Sequence, residues 1–198
     1  MSMTLLSLAG AGLMAYPELS PAFLRRHMPR AANHPVTFSL LLDDDGRVMQ
    51  CDVLTRSVSA EDEAKICAPA LGEKAGKPAT GPDGEPVYGM ATGTLFGSNS
   101  RNGRSISRSA LLPGQFVTVS VAALPDRAQR AQVAMIAYFD ENGKVVECTQ
   151  GQADEGPLFA VACAQSKGMV FPTVSDTDGR PVGRLESLTV IFEVDEAA

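Results

Sequence analysis

Four cysteines are the residues best equipped for chemistry in this chain: Cys51, Cys67, Cys148 and Cys163. Four thiols can form two disulfides, ligate a metal, or supply a nucleophile. No Cys-x-x-Cys pair occurs, which argues against both a zinc ribbon and a thioredoxin-like redox centre. The two histidines, His27 and His34, are too few for most histidine-based metal sites. His27 follows Arg25-Arg26 in an expected surface helix, and His34 precedes a strand-opening Pro35. Neither lies near a nucleophile motif, and no Gly-x-Ser-x-Gly is present. A small hydrolase or isomerase would need an acid–base pair, and none is visible. No catalytic residue, cofactor site or metal site is therefore assigned.

The Asp-Gly or Asn-Gly turns at Gly46, Gly84, Gly143 and Gly179 invite a calcium reading. An EF-hand loop needs an acidic residue five positions before its glycine. Those positions hold Leu41, Ala79, Tyr138 and Val174. These segments read as turns, with the glycine free to take positive φ. Gly93–Gly103 is glycine-rich but lacks the Gly-Lys-Ser/Thr of a phosphate loop.

The elements that position these residues recur. The stretch VTFSLLLDDDGRVMQCDV from Val36 matches VAMIAYFDENGKVVECTQ from Val133. Gly46, Val48 and Cys51 match Gly143, Val145 and Cys148 at an offset of 97. Cys67 matches Cys163 at 96, and the run Asp83–Val87 matches Asp178–Val182 at 95. An ordered series of turn, cysteine, cysteine and turn marks an internal duplication. Val36, Phe38, Leu40 and Leu42 alternate with Thr37, Ser39 and Leu41, which is strand periodicity. Asp44-Asp45-Gly46 turns the chain into a second strand, Val48–Leu54, completing a hairpin. A helix follows, capped by Ser59 with Asp62 in its first turn, with Ala60, Ala64, Cys67 and Leu71 on one face and Gly72 as its stop. In the second copy Pro157 opens the helix, and Phe159, Cys163 and Ser166 share a face. A last strand closes each copy: Val87–Phe96 and Leu185–Val194.

The expected fold class is α+β, with two small modules. Each is an antiparallel three-stranded sheet with a helix packed on one face. Each copy carries one cysteine on its second strand and one on the helix that lies against it. The repeat thus selects Cys51–Cys67 and Cys148–Cys163 from the three pairings that four cysteines allow. Four buried thiols and a four-cysteine zinc site are the alternatives. The expected division is a signal-like segment at 1–15, a first module at 16–97, a linker at 98–114 and a second module at 115–198.

Composition narrows the function classes. The chain has 198 residues, 44% hydrophobic and 6% aromatic, without tryptophan. Its formal net charge of −6 argues against nucleic acid as a partner. Met3–Ala15 (MTLLSLAGAGLMA) is too short to span a bilayer but suits a signal-peptide core, with Ala9-Gly10-Ala11 as a cleavage site. No positive charge precedes it. Together with the cysteines this predicts a periplasmic or secreted protein. Gly97–Gly114 has a linker's composition, with Arg101, Arg104 and Arg108 in it. Phe116–Leu124 alternates as a strand that either module could use.

Tyr16-Pro17, a helix over Ser20–Arg30, the strand–turn–strand from Val36 and the turn Arg56-Ser57-Val58-Ser59 together resemble the carboxy-terminal domain of TonB energy-transducing proteins. The paired cysteines resemble those of a disulfide-bearing subgroup of TonB-like proteins in Gram-negative bacteria. The resemblance spans Tyr16–Phe96 best and Gln132–Val194 more weakly, since the second copy has FVTVSVAALP where the first has its Tyr-Pro and helix. It implies a cell-envelope protein that takes a protein or peptide partner by adding a strand to a sheet edge. The expected edges are the last strands, through Val87, Gly89, Thr92 and Leu95 and through Leu188, Val190 and Phe192. A TonB transducer also has a spanning helix and a Pro-rich spacer, and neither is expected here. The fold is expected to carry over, and energy transduction is not. The alternative is a structural pseudo-dimer, its modules paired edge to edge with no peptide ligand.

Overall fold

A computed structural model describes residues 14–27, 36–55, 58–95, 114–150 and 156–195. The expected signal core up to Leu13, His34, the Arg56-Ser57 pair and the linker through Pro113 lie outside them. The chain is α+β, mostly strands with three α-helices among the described residues. In order these are β1 (Glu18–Leu19), α1 (Pro21–His27), β2 (Val36–Leu42), β3 (Val48–Val53), α2 (Ala60–Cys67), β4 (Gly76–Lys77), β5 (Ala79–Thr80) and β6 (Pro86–Leu95). Then follow β7 (Gln115–Val121), β8 (Arg130–Phe139), β9 (Val145–Gln150), α3 (Leu158–Lys167), β10 (Val174–Ser175), β11 (Pro181–Val182) and β12 (Arg184–Val194).

The duplication is visible in the pairing. Leu40 faces Cys51 across β2–β3, and Ala137 faces Cys148 across β8–β9. A register shift falls at Leu41/Leu42 in one hairpin and at Tyr138/Phe139 in the other. Leu42 pairs with Gly89, and Phe139 with Arg184. After each helix the chain returns to the hairpin turn. Ala75 N–H donates to Gly46 O at 2.9 Å, and Phe171 N–H to Gly143 O at 2.8 Å.

The two modules do not form separate three-stranded sheets. They share one eight-stranded mixed sheet in the order β3-β2-β6-β12-β8-β9, with β5 also on β6 and β7 also on β12. The seam is parallel: Tyr88 pairs with Arg184 and Gly89 with Leu185. Two equivalent strands that meet through the same edge and run parallel are related by a two-fold axis along the strands, which exchanges the faces of the sheet. The register bears this out. Phe38, Leu40 and Ala91 face α2, Ile66 and Ala70 in one core. Met135, Leu188 and Val190 face the other way, toward α3 and Ala162. A third cluster at the seam joins Met14 and Ala79 to Ile136 and Leu185.

Local signals explain the helices. Ser59 caps α2, its Oγ accepting Asp62 N–H at 3.1 Å. The buried face of α2 is not Ala60, Ala64 and Leu71, which are exposed, but Ile66, Cys67 and Ala70. The largest apolar side chain beside the tethered cysteine sets that rotation. In α3 Ala162 and Ser166 are buried, flanked by Phe159 and Cys163. The first helix is described over Pro21–His27, and the rest of its expected span, to Arg30, lies outside the described residues.

Candidate binding edges and the seam between modules

Both disulfides are present as the repeat predicts, Cys51–Cys67 and Cys148–Cys163, with Cα atoms 5.4 and 6.0 Å apart. Each staples an outer strand to the helix across it. They fit an oxidising compartment outside the cytoplasm. Among the described residues no helix is long and apolar enough to cross a membrane. No group of three or more His, Cys, Asp or Glu among them could hold a metal ion. His27, the last described residue of α1, has its ring against Phe23, centroids 4.8 Å apart.

The expected edge strands need correction. β12 is covered on both sides: Leu188 by Met135 and Gln115, Val190 by Val133 and Val117, Phe192 by Ala131 and Val119. All three residues are buried. β6 pairs with β2 from Gly89 to Leu95, and Val87 pairs with Ala79. Gly89 is occupied on both sides, by Leu42 and Leu185. Val87, Thr92 and Leu95 each pair on one side alone among the described residues. The expectation failed because Phe116–Leu124 supplies β7. That strand lies on β12, with the second module, and fills the edge the repeat alone would leave open.

The outermost strands are blunted. At one end of β3 Val53 N–H donates to Glu63 Oε1 at 3.2 Å. At its other end Val48 N–H bonds Glu73 O and Val48 O accepts Gly72 N–H. β9 carries Glu147, and Lys144 just before it bridges to Val170. β7 is different. Its sequence QFVTVSV has no charge and no proline, the two usual guards of an edge. Val117, Val119 and Val121 lean on the α3 core, while Thr118, Ser120 and Phe116 (61% exposed) face solvent.

The seam holds the buried charged groups found among the described residues, Arg184 and Glu186. Arg184 Nε donates to Glu186 Oε2 at 2.8 Å and Nη2 to Pro172 O at 3.0 Å. The guanidinium lies 4.7 Å from the Phe139 ring centroid, and its Nη1 is buried with no hydrogen-bond partner among the described residues. Glu186 Oε1 accepts Gln115 Nε2 at 3.3 Å, and Gly114 N–H donates to Ser187 Oγ at 2.7 Å. These contacts tie the start of β7 to β12. On the opposite face Tyr16 is pushed far above the usual phenol range, chiefly by burial. Sequence reasoning missed Arg184 and Glu186. Their signal was an alternating strand position held by charge where the first copy has Gly89 and Ala91.

The far end of the sheet is acidic. The turns at 43–47, 81–85, 140–144 and 176–180 gather there, holding nine carboxylates and three cations. Tyr88 is pushed up by burial first and then by Asp44, Asp176 and Asp43, so it senses turns of both modules. Tyr138 is raised in the same way, by burial and by Asp83, Glu141 and Asp140. Compared with protein families, curated proteins and solved structures, the chain gives no match.

Proposed function

We propose that this chain is a non-catalytic periplasmic or secreted binding protein, built from two modules resembling TonB carboxy-terminal domains. It engages an extended segment of a protein partner by strand addition. The observation that carries this reading is the outer edge of β7, which has no strand beyond it among the described residues and holds neither charge nor proline. Backbone groups on such an edge supply affinity, and alternate side chains supply selectivity. An edge sequence without charge or proline is suited to pairing with another strand.

The test is capture of a partner from envelope extract by the oxidised full chain and by Thr118→Lys. Thr118 is exposed, so the variant folds while placing an ammonium beside the edge. A partner retained by the parent and lost by the variant supports the reading. Recovery of nothing at micromolar protein, or equal recovery by both, counts against it.

A second reading has its own observation. The modules pair through Tyr88–Arg184 and Gly89–Leu185, and one apolar cluster draws on both. That is the arrangement of an internal pseudo-dimer, which would be structural if no segment adds to β7.

A further inference from the structure

The second module's sheet has one face on which no described helix packs. Met135, Leu188 and Val190 turn toward α3, so Ser187, Thr189 and the residues paired with them, Ile136 and Ala134, turn the other way. The buried residues of α1 and α2 belong to the first module's core. That face of the second module is nevertheless closed: Ile136, Ser187 and Thr189 are 6, 7 and 5% exposed. Met14 packs with Ile136, and Tyr16 lies beside Ser187. Thr189 sits two residues farther along β12, with no described helix on its side. Next to it on β7, Phe116 and Thr118 are exposed. The closed strip therefore follows β8 and β12 away from the seam and stops short of the outer strand.

We propose that residues 1–13 of this chain dock on this strip and cover it. The last residues of the apolar run are already part of the fold. Ala15 N–H donates to Thr80 O at 3.1 Å, and Thr80 N–H to Ala15 O at 2.9 Å. Met14 is buried across the seam with Ile136 and Leu185. Followed backward, the chain thus leaves the first module at Ala15 and reaches the foot of the strip at Met14. The residues ahead of it, MSMTLLSLAGAGL, carry no charged side chain, and neither do Ala134, Ile136, Ser187 and Thr189. Apolar side chains gain by leaving water on such a surface. The segment 97–113 suits it less, because Arg101, Arg104 and Arg108 would have to be buried or turned away. Reach is sufficient. From Leu185 to Ile191 the strip is about 20 Å long at 3.3 Å per residue. Thirteen residues span about 20 Å as a helix and about 43 Å extended. The same residues cannot be both a cleaved leader and a cover for β12. The extracytoplasmic reading then rests on the disulfides. Docking is independent of strand addition at β7, whose outer edge it leaves uncovered.

The experiment uses the oxidised full chain with a photoreactive benzophenone side chain in place of Leu8. It is irradiated at micromolar concentration and its cross-links are mapped by peptide mass spectrometry. Cross-links within one chain to Ala134, Thr189 or Ile191 are expected, with none at Thr118. Cross-links confined to other segments, or formed only between two copies, would overturn the assignment. A second variant, Leu5→Asp with Leu8→Asp, is expected to lower the urea midpoint, and an unchanged midpoint would show that the segment covers nothing. If that variant fails to fold, the cross-link map decides alone. Loss of residues 1–11 from the intact mass of protein recovered from the periplasm of a Gram-negative host would also overturn the proposal.

Discussion

Arg184 and Glu186 form an ion pair at 2.8 Å, with side chains 1% and 3% exposed, where the first copy has Gly89 and Ala91. The exchange has a steric cause. A side chain at Gly89 would meet Ala79 and Pro17, because the Tyr16-Pro17 segment fills that space. The second copy has no such segment, and the Arg184 side chain spreads over Phe139 instead. Removing one partner of a buried pair leaves an uncompensated charge. Glu186→Ala is expected to cost about 3–5 kcal/mol in urea unfolding, and Arg184→Met with Glu186→Leu much less. A single-variant cost near zero would show that water reaches the pair.

The disulfides close loops with sequence separations of 16 and 15. Loops of that size are worth about 3 kcal/mol each in the chain-entropy model. Replacing either pair by alanines is expected to cost about that much, and the two losses should add, because the bonds sit at opposite ends of the sheet. Chemical denaturation of the two double variants and the quadruple variant checks this. Strong non-additivity would mean that the modules unfold as coupled halves across the seam.

The repeat made much of this fold legible. Turn glycines and cysteines recurring at drifting offsets defined both hairpins, both helices and the disulfide pairing. They are local signals, decided within a few residues of themselves. The joining of the modules was not legible. Tyr88 and Arg184 carry no pattern that announces a parallel pair, and parallel pairing reverses which face the second copy's core occupies. β7 was readable as a strand but not as the neighbour of β12, since alternation gives a face and not a partner. The site reading suffered for that reason. Leu188, Val190 and Phe192 look the same in sequence whether their strand is central or at an edge.

Gly46 and Gly84 both take positive φ, at 78° and 84°, yet they face different surroundings. A methyl group on Gly46 would strike the Gly76 carbonyl, where the chain after α2 returns to the turn. One on Gly84 meets nothing within 4 Å. Gly84→Ala is expected to cost only the left-handed backbone penalty, about 1–2 kcal/mol. Gly46→Ala should cost clearly more, since it must also displace the Ala75–Gly46 hydrogen bond. Thermal unfolding of the two variants compares them directly. Equal losses would show that the returning segment yields freely.

Asp140 and Asp176 open two turns of the same construction. Asp140 Oδ1 accepts Asn142 and Lys144 N–H groups at 2.9 and 2.8 Å. Asp176 Oδ1 accepts those of Asp178 and Arg180, both at 2.9 Å. Both carboxyls are held below the usual range, first by the backbone N–H of Lys144 and of Arg180 respectively. A depressed folded value means the unfolded chain takes up the proton first. The stabilisation is therefore complete above the unfolded value, about 3.9, and is lost as pH falls through the lower folded value. Asparagine keeps an oxygen that accepts the same N–H groups but cannot titrate. Asp140→Asn with Asp176→Asn should hold the turns while flattening the decline of stability as pH falls below about 5. Urea midpoints across that range measure it. An acid limb as steep as that of the parent would place the sensitivity in other carboxylates of the acidic end.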